Sequence, residues 1–392
     1  MTWKILQGDN RETLKTIADN SIDAIVTDPP YGIDFLGKAW DANTGALETY
    51  QECLRVLKPG GHILAFSAAR TYHHLAVTLE QAGFEIRDQI QWIYSSGFPK
   101  SQDIGKSIQR SLGVKEKTKL KSNGPANGLS RMTFNQSEPA KFEETKDVDA
   151  VVCTDPEAKQ WEGWGTSLKP AHEPIALARK PMKGSIAQNC QKWGTGALNI
   201  DATRIPTDEL KPANLPGHDP RNDLHTIGVE NKNTTDGIWY PSEGGRFPSN
   251  VIGDIPDYQK YFYCPKVSRK ERHTGFDTDN IATNPNGMWD DGVQFQNQQA
   301  FSGATEKGNN HPTVKPIELM KYLIKLITPP GGTVLDPFNG SGSTGCAAVE
   351  LGYNYIGCEL DPKYVEISEK RIDKWFRTAD PIRASGLFEE EE

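Results

Sequence analysis

Apolar residues in this chain gather in three stretches of regular pattern, separated by long polar ones. Residues 22–26 are apolar except for Asp23 and read as a buried strand; residues 62–66 read the same way. Residues 3–6 predict a short strand closed by Gln7-Gly8-Asp9-Asn10. Helices are predicted over 11–19, with Leu14 and Ile17 inward, and over 49–57, with Cys53, Leu54 and Leu57 on one face. The second ends at Lys58-Pro59-Gly60-Gly61, which reads as a sharp stop. A third helix is predicted over 71–81, with Gly83 after it. Residues 85–94 alternate, with Ile86, Ile90, Trp92 and Tyr94 apolar, as a strand wetter on one side does. Strands alternating with helices predict a parallel, doubly wound α/β sheet.

The pattern breaks at Ser95. Residues 97–168 are polar, and 173–178 predict one more strand. That strand can pair with 85–94, which would make 97–168 an insertion in a hairpin. Residues 181–310 are irregular and rich in Asn, Gly, Pro and Trp. A loop of that length is either functional or disordered. Regularity returns at His311. Residues 316–327 form an amphipathic helix with Met320, Leu323, Ile324 and Ile327 on one face. A strand over 333–335, a helix over 344–351 and a strand over 355–358 follow.

Two motifs carry candidate chemistry. Asp28-Pro29-Pro30-Tyr31 follows the strand over 22–26. Two prolines in succession cannot extend a strand ladder, so a carboxylate and an aromatic ring stand at the strand's C-terminal edge. Open α/β sheets bind their ligands there. An acceptor for an amine and a ring to stack on are what a flipped-out base needs. The plainer reading is a strand-to-loop turn with Tyr31 as packing. The second motif is Asp336-Pro337-Phe338-Asn339-Gly340-Ser341-Gly342-Ser343-Thr344, between a strand and a helix. Glycines let a ligand approach the backbone, and a helix N-terminus offers free N–H groups. The spacing is neither the dinucleotide fingerprint nor a phosphate loop. Asp336 would repel phosphate but suits an ammonium or sulfonium. Glu359 ends the next strand, where an acid usually meets ribose hydroxyls.

Composition narrows the class. The chain has 392 residues, 36% hydrophobic and 24% charged, enough for roughly two to three domains. No run approaches the ~20 apolar residues of a membrane helix, and the N-terminus lacks a signal peptide's apolar core. Six scattered cysteines favour neither a disulfide framework nor a zinc site, so a reducing cytoplasm is expected. A net charge of -8 argues against a general polyanion binder and throws weight onto local patches. One lies between Lys100 and Ser122; another is Lys266, Arg269, Lys270 and Arg272. Both suit phosphate contact, although the first reads equally as a solvated loop. Trp161, Trp164 and Trp193 read as a small core rather than as base-stacking rings.

Taken together, Asp28-Pro-Pro-Tyr31, Lys58-Pro-Gly-Gly61, His311-Pro-Thr-Val-Lys-Pro316, the 336–344 loop and Glu359 resemble the amino-methylating DNA methyltransferases that use S-adenosylmethionine. The order, catalytic motif first and cofactor motif last, is that of the permuted or β class. The resemblance covers 1–96, 169–180 and 311–376. It implies a circularly permuted, Rossmann-like seven-stranded class I methyltransferase sheet, its last strand antiparallel, with large irregular insertions. By this resemblance 1–96 and 311–380 are the two parts of the catalytic domain, and 169–180 adds a strand. Residues 97–168 are a polar insertion, 181–310 a target recognition region and 381–392 a disordered acidic tail.

The same resemblance implies roles. Asp28, Pro29, Pro30 and Tyr31 would be catalytic: the Asp28 carboxylate and Pro29 carbonyl accept the amine hydrogens, and Tyr31 stacks on the base. Asp9 would meet the cofactor adenine and Glu359 its ribose. Asp336, Phe338, Gly340, Gly342 and Thr344 would line the methionine half, with Lys315 bordering that pocket. No metal is required. Asp rather than Ser before Pro-Pro-Tyr favours the N6 amine of adenine, with the N4 amine of cytosine as the alternative. A non-catalytic DNA-binding relative would not need Asp28, Tyr31 and the glycine loop intact. RNA or protein methylating relatives usually carry the cofactor loop first. The implied partner is double-stranded DNA; a homodimer and a cognate restriction endonuclease are further partners the resemblance suggests.

Overall fold

A computed structural model of the chain describes residues 1–33, 44–94, 101–113, 117–122, 146–151, 153–206, 213–214, 238–239, 245–253 and 314–379. In chain order the elements are β1 (Trp3–Gln7), α1 (Asn10–Thr13), β2 (Ile22–Thr27), α2 (Leu47–Val56), β3 (Leu57–Phe66), α3 (Tyr72–Ala82), β4 (Glu85–Ile93), α4 (Ile104–Ser111), β5 (Lys117–Ser122), β6 (Lys146–Val151) and α5 (Pro156–Lys159). There follow β7 (His172–Arg179), α6 (Ile186–Trp193), β8 (Ala213–Asn214), β9 (Ile238–Trp239), β10 (Val251–Gly253), α7 (Ile317–Ile327), β11 (Thr333–Asp336), α8 (Ser343–Glu350), β12 (Asn354–Glu359) and α9 (Pro362–Ala379).

One compact unit, from the described parts of 1–95, 172–276 and 309–392, carries the large sheet. Its order is β1-β12-β11-β2-β3-β7-β4-β10. Every pairing is parallel except those of β7, which runs antiparallel to both β3 and β4. β7 is the strand expected to pair with 85–94; it also pairs with β3 and so fills the gap between them. The seven strands implied by the resemblance become eight, because Val251–Gly253 adds an edge strand beside β4. Three residues are too short for a period to show in sequence. They cover an edge of the sheet that would otherwise present unpaired backbone groups.

Side chains alternate across the sheet, so each strand feeds two cores. Ala24, Val26, Leu64, Phe66, Ile175, Leu177 and Val334 face one core, with α7, α8 and Ile372 of α9. Ile25, Ile63, Ala65, Ala176, Ala178 and Leu335 face the other, with α2, α3, Leu14 and Ile17. The stripe Met320, Leu323, Ile324 and Ile327 is fully used: all four are buried. Two local expectations change. The helix predicted over 11–19 is α1 followed by a 3-10 turn, Leu14–Thr16. The stop expected at Lys58–Gly61 lies inside β3, which pairs with β2 from Leu57. There Gly60 has φ 77° and its missing side chain makes room for the amide of Asn189, which donates 2.8 Å to the Pro59 carbonyl.

A second compact unit comes from the described part of 96–171. Asp103 caps α4, Asp155 caps α5, and β5 pairs antiparallel with β6. Buried Gln109 ties the two helices: its amide donates 2.8 Å to the Thr154 hydroxyl, and its oxygen accepts from the Asp155 N–H. Trp161 and Trp164 meet edge to face at 5.4 Å between ring centroids, yet remain 39% and 61% exposed. The expected tryptophan core is therefore absent at these two rings. Among the described residues no helix is long and apolar enough to cross a membrane.

Candidate active site

Strand order turns scattered acids into a row. β1, β12, β11 and β2 are adjacent and parallel, and each ends at an acid: Asp9, Glu359, Asp336 and Asp28. Parallel strands point their C-terminal ends the same way, so the row lies along one edge, where open α/β sheets bind ligands.

The acids are used differently. Asp336 is 2% exposed. Its Oδ1 accepts from the Thr27 hydroxyl at 2.7 Å and the Phe338 N–H at 3.0 Å, and its Oδ2 from the Thr344 hydroxyl at 2.7 Å. Burial raises its pKa to about 6 against those hydrogen bonds. Asp336 thus ties β2, β11 and the start of α8 together. Glu359 accepts from the Gly340 N–H at 2.8 Å and the Asp361 N–H at 2.9 Å, which shapes the glycine loop. Burial raises its pKa, and the backbone hydrogen bonds oppose the rise. Asp9 caps α1 through the Arg11 N–H and pairs with the Arg11 guanidinium, so its carboxylate serves the helix start.

The glycines also divide their work. Gly340, at φ 52°, gives its N–H to Glu359. Gly342, at φ 78°, lies under α9: a Cβ there would stand 2.9 Å from Ser368 Cβ and 3.0 Å from Ile372 Cδ1. Its freedom therefore serves helix packing. Behind the loop, fully buried Arg371 donates to the Ser341 carbonyl at 2.5 Å and hydroxyl at 2.9 Å. Phe338 is half-buried, its ring 6.3 Å from Tyr50.

Asp28 is the centre of a second cluster. The Tyr31 hydroxyl lies 2.8 Å from Asp28 Oδ1 and 2.9 Å from Glu173 Oε2. Lys315 Nζ lies 2.5 Å from Asp28 Oδ2, 3.1 Å from the Tyr31 hydroxyl and 3.5 Å from Glu173 Oε2. Lys315 thus differs from its expected place at the cofactor pocket: it sits on the Asp28 carboxylate. Burial alone would lower its pKa, but Asp28 and Glu173 outweigh that and the pKa is raised. Burial, with the same two carboxylates, pushes the Tyr31 hydroxyl well above its usual value. The Phe66, Trp92 and Tyr94 rings stand in contact sequence beside this cluster, Phe66 to Trp92 edge-on at 6.4 Å and Trp92 to Tyr94 at 5.0 Å. Pro29 is buried and Pro30 half-buried.

Glu173 was invisible as a site residue in the sequence, where it merely starts a strand. The one available signal was an acid before a proline at the head of an otherwise apolar run. Lys266, Arg269, Lys270, Arg272 and His311 lie outside the described residues. Among the described residues no group of His, Cys, Asp and Glu could hold a metal ion.

The S-adenosylmethionine implied by the resemblance can be tested against this donor set. A row of carboxylates with, among the described residues, no basic phosphate cradle suits a cationic ligand rather than a phosphorylated one. Glu359, at the strand next to β11, and the loop 337–342 are the groups available to its ribose and methionine parts. The residues fit.

A family model described as DNA methylase matches residues 22–370. The chain is similar to the type II methyltransferase M.HindIII of Haemophilus influenzae, 24% identical over 94% of both chains. It is also similar to the DNA adenine methyltransferase YhdJ of Escherichia coli, 44% identical over 16% of this chain and 22% of that one. Among solved structures, the M1.HpyAVI complex with SAM aligns over 94% of this chain and 100% of that one, with 18% identity and a TM-score of 0.42.

Proposed function

Because the chain belongs to the N6/N4 DNA methylase family, whose members use S-adenosylmethionine, we propose that it methylates the exocyclic N6 amine of adenine at a specific site in double-stranded DNA. The observation that carries the reading is the Asp28 carboxylate, half-buried at the end of β2 and one strand from Asp336. An exocyclic amine is a poor nucleophile, because its lone pair is delocalised into the ring. A carboxylate that accepts its hydrogens draws that pair back onto nitrogen. On Asp28, Tyr31 meets one oxygen and Lys315 the other, so the amine would take a place that one of these donors holds in its absence. The Pro29 carbonyl is the natural second acceptor and the Tyr31 ring the natural stacking surface. When bound, S-adenosylmethionine supplies an electrophilic methyl group on sulfur. Asp9, Glu359, Phe338, Gly340 and the start of α8 would hold it, and Asp336 and Gly342 would keep that loop in shape. Much of the rate then comes from positioning.

Adenine is favoured over cytosine by Asp, rather than Ser, before Pro-Pro-Tyr, and the Escherichia coli relative described as a DNA adenine methyltransferase supports the same choice. The test is sequencing, sensitive to both modified bases, of DNA from a methylation-free host expressing the chain. We expect N6-methyladenine in one short motif. N4-methylcytosine in its place would overturn the choice of base.

A further inference from the structure

Lys315 occupies the oxygen that the proposed reaction needs. Its ammonium lies 2.5 Å from Asp28 Oδ2, with the ring centroids of Phe66 and Tyr31 at 4.9 and 5.4 Å. A nitrogen donor against a carboxylate, beside aromatic rings, is also a description of a flipped base's amine at Asp28. Lys315 is buried, and a buried cation that loses its partner is strongly destabilising. An amine could displace it from Asp28 only if a second anion were in reach.

Glu173 is that anion. Its Oε2 stands 3.5 Å from the same Nζ, inside ion-pair range and just beyond a good hydrogen bond. A shift of under about 1 Å would complete the bond. Glu173 is held for this by the Tyr31 hydroxyl at 2.9 Å. Tyr31 itself has a single hydroxyl hydrogen and two carboxylates within 2.9 Å, so it can donate to only one at a time. The carboxylate that holds less of Lys315 takes it.

We propose that Lys315 and Glu173 are positioning residues acting as an exchange pair: the ammonium caps Asp28 while no base is bound, and passes to Glu173 when the target amine takes its place. This rests on the reading of Asp28 as the acceptor of that amine.

Glu173→Gln keeps the shape and removes the receiving charge, which leaves Lys315 locked on Asp28. We expect kcat on DNA to fall roughly tenfold or more, while KM for DNA and calorimetric affinity for S-adenosylmethionine stay within about twofold. Glu173→Asp, which retains the charge, is expected to recover much of the loss. The decisive variant is Glu173→Gln combined with Lys315→Met: with nothing to displace, it is expected to be faster than Glu173→Gln alone. A double variant as slow as the product of the two single losses would overturn the exchange and leave both residues as packing. So would a cofactor affinity that falls in step with kcat. The modified base is identified separately on the unaltered protein, so a wrong base would sink the adenine reading without touching this comparison between variants.

Discussion

Asp28 and Asp336 close neighbouring strands of one sheet, and only Asp336 is spent on holding the fold. Asp336 is enclosed by two threonine hydroxyls and a backbone N–H. Asp28 is met by the long, movable side chain of Lys315 and by Tyr31. Two acids with the same place on adjacent strands therefore divide into a structural knot and the carboxylate proposed to meet the base.

Asp28→Asn is the first consequence to measure. It keeps one acceptor oxygen but gives the other position to a donor. Methyl transfer is expected to fall by about 10² or more, the scale of losing one preorganised transition-state contact. Affinity for S-adenosylmethionine is expected to hold. Near-normal turnover would remove Asp28 from the reaction.

The glycine loop separates into two tests. Glu359→Gln loses the acceptor for either Gly340 or Asp361 and is expected to weaken cofactor binding about tenfold or more, with buried N–H groups left unpaired. Gly342→Ala forces a Cβ against Ser368 and Ile372 at φ 78° and is expected to destabilise the fold by about 1–3 kcal/mol. Calorimetry and urea unfolding read the two effects. Unchanged cofactor affinity in Glu359→Gln would discard the ribose assignment.

Stability against pH offers a test with a sign. Burial, with help from Arg179 and Arg87, lowers the pKa of His62 to about 4 from 6.5. A depressed pKa contributes stability that is present above 6.5 and lost as pH falls through 4. Burial raises Asp336 from 3.8 to about 6, so its contribution is present below 3.8 and lost as pH rises through 6. Each is worth roughly 3 kcal/mol across its window, and between pH 4 and 6 they oppose. His62→Gln is therefore expected to gain stability as pH falls from 6 to 4, and Asp336→Asn to lose it. Urea midpoints that move together in both variants would contradict this.

The basic cluster tests the DNA surface. Replacing Lys266, Arg269, Lys270 and Arg272 with glutamine is expected to weaken DNA binding and to flatten its dependence on salt by close to four phosphate contacts' worth, a log–log slope change of roughly 3 to 4. A salt slope equal to the unaltered protein's would place the surface elsewhere.

Sequence choice is the last test. Base edges must be read by groups that phosphate contacts do not supply. Residues 181–310 hold Asn, Gln, Arg and Lys in quantity, the side chains suited to that task. Exchanging 181–310 with a relative of different specificity is expected to transfer that relative's methylation site. An active chimaera that still marks the original site would point to 97–168 instead.

The two cores were legible because their pattern is dense. β2 is buried at all six positions, and α7 carries its apolar stripe without a break. Position at a strand end was legible too, which is why Asp28, Asp336 and Glu359 could be singled out. Contacts set by topology were not. Lys315 and Asp28 are 287 residues apart, and no periodicity connects them. Glu173 reaches Tyr31 only because β7 wedges between β3 and β4. The packing role of Gly342 depends on α9, and Trp161 and Trp164 show that aromatic residues close in sequence need not form a core.

The pairing of β1 with β12 has a bearing on synthesis. Trp3 stands opposite Tyr355, and the Thr2 N–H donates to the Asn354 side chain at 2.8 Å. β1, which precedes the other described strands in chain order, has its place in the sheet beside β12, which follows them. A chain interrupted before β11 would carry Asp28 and Tyr31 but no docking edge for β1 and no glycine loop. Competence to bind the methyl donor thus requires β1, β11 and β12 together, and products that end before β11 are expected to be inert toward DNA chemistry.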